Sequence, residues 1–208
     1  MKNSSPRPDR RFLRRAEQHL SSSDPILARI IKQVGPCRLN YRPGGFHTLA
    51  EIIIHQQLST IVAVRIFDRL KRLAKSSRLT AVSIERLSDE ALRGVGVSPQ
   101  KIRYLRDLVE KVRSRALSLS RLNAMADADV IVALITVKGL GRWSAEMYLM
   151  FTLARPDIFS SGDNGLQSAV RNLYGVDGKP IDLEKFAERW KPYRSIASWY
   201  LWQSLQLK

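Results

Sequence analysis

A chain of 208 residues with 44% hydrophobic side chains is long enough for one large domain, or two small lobes, with a real core. Its 35 Lys and Arg outnumber 19 Asp and Glu, and the formal net charge of +16 points to a polyanionic partner rather than an indifferent surface. A lone cysteine, Cys37, excludes an intrachain disulfide, and scattered histidines exclude a zinc cluster. No apolar run approaches the roughly 20 residues of a membrane span, and the charged N-terminus has no apolar core after it, which excludes a secretory signal.

In chain order, Lys2, Arg7, Arg10, Arg11, Arg14 and Arg15 stand among Pro and Ser and read as a mobile basic arm. Asp24-Pro25 is a helix start and Gly35-Pro36 a stop. Arg38–Tyr41 is the single candidate for extended backbone. Phe46–Gln57 is apolar at helical spacing through Leu49, Ile52, Ile53 and Ile54. Ser59 suits the N-cap of a pattern running through Ile61, Val62, Val64, Ile66, Phe67, Leu70 and Leu73. Ser83–Leu92 holds one or two short helices. Ser98-Pro99 opens a helix through Ile102, Leu105, Leu108, Val109 and Val112. Asp129–Val137 is another, two patterns follow Asp163 and Asp182, and the last runs from Arg194 to the C-terminus. Period-2 alternation is absent, so the predicted fold class is all-α. The wholly reduced cysteine usage fits an intracellular compartment, the cytoplasm and nucleoid of a prokaryote or the nucleus of a eukaryote.

The most informative stretch is Val137-Lys138-Gly139-Leu140-Gly141-Arg142-Trp143-Ser144-Ala145, with Asp163 beyond the next helical pattern. Two glycines around one apolar residue make a tight hairpin, and their missing side chains let backbone amides approach a ligand closely. Those amides sit at a helix start, where unpaired N–H groups and the helix dipole favour an anion. On so basic a chain that anion is a nucleic-acid phosphate.

This stretch resembles the helix–hairpin–helix motif of the DNA glycosylase superfamily that ends in a Gly/Pro-rich loop and an aspartate. Lys138 stands where the family usually has proline, and Ser144 where it has threonine. The segment Asp157–Leu166 resembles the family's Asp-x-Phe-Pro-x-x-Asp-x-x-Leu, with Ser160 in place of proline. The missing prolines are expected to loosen the loop slightly. Two further stretches narrow the resemblance to the branch called 3-methyladenine DNA glycosylase II: Ile53-Ile54-His55-Gln56-Gln57-Leu58-Ser59, and Arg189-Trp190-Lys191-Pro192-Tyr193-Arg194-Ser195. The resemblance covers about Phe46 to Trp202.

It implies a single two-lobed glycosylase domain with the active cleft between the lobes. One lobe would span about residues 46–160, with the hairpin at 134–150; the other would combine about 10–45 with 161–208. Residues 1–45 are too short for the extra N-terminal β-domain of one branch member. A glycosylase cleaves the bond from deoxyribose C1′ to a base nitrogen, and a carboxylate beside the sugar stabilises its developing positive charge and can activate a water. By its match to the motif Asp163 is that carboxylate, although an aspartate there would equally serve as a helix cap. Asp157 reads as support for the turn, and Asp177 and Asp182 as turn and cap residues.

Endonuclease III-like relatives carry a lysine at the place of Trp143, which attacks C1′ and leads to strand cleavage. Tryptophan has no amine, so base removal without lyase activity is expected. No iron–sulfur tail is present, and no catalytic cofactor is implied. Leu58 matches the apolar wedge that holds the duplex open while the base is flipped out, with Gln57 and Ser59 as minor-groove neighbours; one more core leucine would look the same in sequence. Lys138, Gly139, Leu140, Gly141 and Arg142 match the DNA-binding hairpin. Trp143 and Trp202 match aromatic positions of the base pocket, where each ring face attracts a cationic base by about 0.5–2 kcal/mol; Met147 stands in that pocket where the relative has tyrosine, so a less aromatic pocket is expected. The resemblance further implies Na+ or K+ on the main-chain carbonyls of Ile135, Val137 and Leu140. The implied activity is hydrolysis of alkylated purines, 3-methyladenine and 7-methylguanine, from duplex DNA by a monomer. A glycosylase for ethenoadenine, hypoxanthine or an oxidised base, or a non-catalytic lesion-DNA binder, are the alternatives.

Overall fold

The computed structural model describes residues 8–176 and 181–207. Among these, α-helices follow one another without a strand: α1 Arg10–Ser23, α2 Pro25–Val34, α3 Gly45–His55, α4 Thr60–Leu73, α5 Ala81–Glu85, α6 Asp89–Gly94, α7 Pro99–Arg113, α8 Asp127–Ile135, α9 Arg142–Phe151, α10 Asn164–Tyr174, α11 Leu183–Phe186 and α12 Arg194–Ser204. The all-α expectation holds, and Arg38–Tyr41 is irregular rather than extended sheet.

The helix starts were written in short polar side chains. Asp24 accepts hydrogen bonds from the Ile26 and Leu27 amides ahead of Pro25, Ser98 caps α7 through Lys101 N, and Asp182 caps α11 through Lys185 N. Ser59 is the N-cap of α4 by position, without a side-chain bond. The basic arm is corrected from Arg10 onward. Asp9 caps a regular helix there, and Leu13, Ala16 and Leu20 recur on its buried face. Lys2, Arg7 and Asp177 lie outside the described residues.

The chain divides into two compact units, residues 1–41 with 149–208, and residues 42–148. The second boundary falls inside α9, earlier than the expected 160/161. The reason is that Phe151 and Phe159 already pack with the core of the first unit. That core gathers Leu20, Leu27, Leu166, Ala169, Trp190, Ala197, Tyr200 and Leu201, with α2 packed on α1 and α12, and α12 on α10. Asp24 is buried within it and fully engaged. Its second oxygen accepts from Tyr174 Oη at 2.6 Å and Trp190 Nε1 at 2.9 Å, so one carboxylate ties α2, α10 and the turn before α12 together.

In the other unit α3 packs on α4 and α7, and α5 and α6 pack on α7. Ile53 and Ile54 of α3, Phe67 and Leu70 of α4, and Ile102, Leu105 and Leu108 of α7 are buried. Arg106 straps α7 to α6 through Asp89 and to the carbonyls of Ile84 and Leu87.

Candidate functional site

The hairpin lies between α8 and α9. Leu140 N donates to Val137 O at 3.0 Å and closes the turn, and Gly139 adopts φ +83°, a left-handed conformation suited to glycine. The turn is pinned from three sides. Lys138 N donates to Asp107 Oδ2 at 2.9 Å, Gln56 Nε2 donates to Gly139 O at 2.6 Å, and the Tyr104 ring lies flush on Gly139, where a Cβ would come within 2.1 Å of it. Proline at 138 would have no N–H to give Asp107. The expected loosening is therefore offset here by a bond that the usual residue could not make.

Leu140 is 4% exposed and its amide is spent inside the turn, so it holds the hairpin rather than presenting itself outward. The Gly139 and Gly141 amides donate to no group among the described residues; Gly139 is half-buried in the turn, whereas Gly141 stands exposed with Trp143 at the start of α9. Lys138 and Arg142 are exposed. Arg142 Nε bonds the buried Glu146 at 2.8 Å, and the Lys138 ammonium stands 3.8 Å from Asp107.

The expected wedge sits on the loop between α3 and α4. Leu58 is 38% exposed, so it is not a core leucine, and Gln57 and Ser59 beside it are exposed too. Gln57 has φ +54°, an uncommon conformation for a residue with a side chain. Just before it, Lys101 Nζ donates to Ile54 O at 2.7 Å and Gln56 O at 2.8 Å, capping the C-terminal carbonyls of α3 with a positive charge. Burial pushes the Lys101 ammonium below the usual lysine range. It also pushes His55 down, and His55 Nε2 is buried with no partner among the described residues. An open recess of about 460 Å³ lies here, lined by Gln56, Gln57, Lys101, Tyr104, Gly139 and Trp143 among others. Trp143 is 44% exposed on its rim, whereas Met147 is buried further along α9.

Asp163 belongs to the other unit. Its Oδ1 accepts the Leu166 amide at 2.9 Å, the cap of α10, and also the indole N–H of Trp202 at 2.9 Å. Trp202 is stacked on Phe151, with ring centroids 5.9 Å apart. Gly165 fits beneath them: a Cβ there would lie 3.0 Å from Asp163 Oδ1 and 3.1 Å from Trp202 Cδ1. The turn before Asp163 is closed by its amide on Ser160 O at 3.0 Å, and Ser160 is fully buried. Asp157 supports the loop as expected. Arg194 grips its carboxylate through Nε at 2.8 Å and Nη2 at 3.0 Å, and Ser195 Oγ accepts from Ile158 N and donates to Arg155 O.

Three contributors were not singled out from sequence: Lys101, Tyr104 and Asp107. Their spacing on α7 places them along one helical face, but a lysine, a tyrosine and an aspartate in a charged helix give no signal of their own. Among the described residues no group of His, Cys, Asp and Glu could hold a metal ion, and no helix is long and apolar enough to cross a membrane.

Residues 50–193 match the family described as HhH-GPD superfamily base excision DNA repair protein. The chain is 32% identical to the alkylbase DNA glycosidase-like protein mag2 of Schizosaccharomyces pombe, over 91% of this chain and 92% of that one. A DNA-3-methyladenine glycosidase from Bacillus halodurans has a similar structure, with a TM-score of 0.81 at 36% identity, covering 91% of this chain and 88% of the other. The 3-methyladenine DNA glycosylase Mag1 of S. pombe, solved with abasic DNA, gives a TM-score of 0.82 at 30% identity, covering 93% and 97%.

Proposed function

This chain belongs to the HhH-GPD superfamily of base excision DNA repair proteins, and from that premise we propose that it is a monofunctional glycosylase for alkylated purines in duplex DNA. The substrate class follows the names of its relatives, which include 3-methyladenine glycosylases from bacteria and yeast. The observation that carries the reading is the Asp163 carboxylate, aimed by Trp202 and by its own helix start.

The chemistry needs little else. A base alkylated at N3 or N7 carries positive charge and leaves with the bonding electron pair as a neutral molecule, so no strong general acid is required. The deoxyribose becomes cation-like, the fixed carboxylate stabilises it, and a water adds to C1′ with loss of its proton. An abasic site remains. In the other unit, the exposed Gly141 amide at the start of α9, with Gly139 in the turn before it, suits a phosphate, Leu58 suits insertion into the base stack, and Trp143 suits the face of a cationic base. The protein acts as a monomer, where chromosomal DNA is kept. The main-chain carbonyls of Ile135, Val137 and Leu140 would hold a Na+ or K+ ion, which would supply positive charge at the hairpin; Val137 O, which accepts one hydrogen bond, retains a second lone pair for it.

The test is release of free bases from methylated duplex DNA by wild type and Asp163→Asn. Release of 3-methyladenine or 7-methylguanine by wild type alone supports the reading. No release by either, with lesion DNA still bound tightly, overturns it in favour of a lesion binder or another damaged base.

A further inference from the structure

The wedge loop and the hairpin are separate stretches of chain, yet one helix holds both. Lys101, Tyr104 and Asp107 stand three residues apart on α7 and so share a face. Lys101 takes the carbonyls of Ile54 and Gln56 at the end of α3. Tyr104 lies on Gly139, and Asp107 accepts the Lys138 amide. Gln56 closes the circuit, since its backbone carbonyl is on Lys101 and its side chain donates to Gly139 O.

The next residue is Gln57 at φ +54°. A side-chain-bearing residue persists in that conformation only where its surroundings over-determine it. The fixed points before it are the two carbonyls on Lys101 and the amide on the hairpin. After it comes Leu58, turned out to solvent. Release of those carbonyls would let Gln57 relax to a common conformation, and the direction of Leu58 would change with it.

We propose that Lys101 is a positioning residue for duplex opening, which acts through Leu58 by holding the wedge loop in register with the phosphate-binding hairpin; Tyr104 and Asp107 fix the hairpin end of the same frame. This rests on the proposed DNA-opening function. It adds a residue that makes its contribution through main-chain carbonyls, without touching the reacting atoms.

The experiment is a double-mutant cycle of Lys101→Met with Leu58→Ala, read two ways. The first readout is fluorescence of 2-aminopurine placed opposite an abasic-site analogue, which reports wedge insertion without needing turnover. The second is the single-turnover rate on methylated duplex, with KM for the same substrate. Lys101→Met is expected to lower the 2-aminopurine signal and to slow base release about tenfold or more, with KM for DNA changed by less than about threefold. In the Leu58→Ala background the same substitution should add almost nothing, because the group it acts through is gone.

Equal slowing in both backgrounds would overturn the proposal and leave Lys101 a general support of the unit. So would an unchanged rate and signal in Lys101→Met when wild type is active. If wild type itself gives no 2-aminopurine signal on abasic duplex, the opening function and this inference fall together. If wild type releases no base but gives a signal that Lys101→Met loses, the inference stands and only the catalytic reading falls.

Discussion

The indole N–H of Trp202 and the amide of Leu166 converge on the same oxygen of Asp163, each at 2.9 Å. A helix cap and a catalytic carboxylate are therefore not competing roles for this residue. The cap supplies one bond and the indole a second, and both hold the same oxygen of the carboxylate. The Asp163→Asn and Asp163→Ala pair separates the two roles. Asparagine is as good a cap as aspartate, so Asp163→Asn should unfold in urea close to wild type while base release falls by orders of magnitude. Asp163→Ala should lose a further ~1 kcal/mol of stability with the cap. Equal unfolding midpoints for both variants would show that the cap contributes nothing.

Trp202→Phe keeps an aromatic ring against Phe151 and removes only the donor. A hydrogen bond to a charged group contributes about 1.5–3 kcal/mol, so base release should slow by about 10- to 100-fold. Gly165→Ala should act in the same direction by a different route, since its new methyl group would press on Asp163 Oδ1 and on the indole. Single-turnover rates at saturating enzyme check both. Rates unchanged in both variants would mean that the orientation of the carboxylate does not limit the reaction.

Much of this was legible because it is local. Asp24-Pro25, Ser98-Pro99 and Asp182 announce helix starts through caps that act within three residues. The hairpin is legible because only glycine suits its turn, and Asp157 because its loop matched a known pattern. The packed helix at Arg10–Arg15 is hard to read for the opposite reason. A dense run of arginine looks like a free arm, while Leu13, Ala16 and Leu20, which turn that segment into a packed helix, are few and widely spaced. Lys101 and Asp107 were out of reach, because their partners are main-chain groups 47, 45 and 31 residues away. Lys138 read as a weakened family position, and its amide became useful only once Asp107 was beside it.

The two glycines of the hairpin are predicted to respond differently. Gly139 has φ +83° and the Tyr104 ring against it, so Gly139→Ala must strain the turn and displace the ring. It should destabilise the protein and weaken DNA binding together. A Cβ on Gly141 would meet no atom within 4 Å, so Gly141→Ala should fold like wild type. Its loss should appear only in affinity for DNA, where the methyl group obstructs phosphate approach. Urea unfolding and duplex binding at one fixed salt concentration check the pair. A Gly141→Ala variant with full affinity would place the phosphate elsewhere.

Acid should weaken the unit formed by residues 42–148. His47 Nδ1 accepts the Leu79 amide at 3.1 Å, which requires that nitrogen to be unprotonated, and burial holds both His47 and His55 below the ordinary value of 6.5. Below pH 6.5 the unfolded chain takes up protons that the folded chain resists, so stability falls with pH until the lowered folded values are passed. Above 6.5 both states are neutral and the contribution to the slope vanishes. Thermal unfolding between pH 7 and pH 5 should show this decline, and His47→Asn, which keeps an acceptor at the Nδ1 position, should flatten it. An unchanged slope would assign the acid sensitivity to other groups.

The DNA strand is predicted to stay uncut. Strand cleavage by a glycosylase needs an amine to attack C1′ and form a Schiff base, and Trp143 supplies none. The nearest lysine in sequence, Lys138, has its ammonium 3.8 Å from Asp107 and its amide bound to the same carboxylate. Its main chain is fixed in the hairpin. Borohydride added during turnover, or to a mixture with abasic duplex, should therefore trap no protein–DNA adduct, and product DNA should carry intact abasic sites until heated in alkali. Trp143→Lys is the informative counterpart. If it forms a trappable adduct, position 143 faces C1′ and the identity of one side chain selects the reaction type; a wild-type adduct lost in Lys138→Ala would instead make Lys138 the nucleophile.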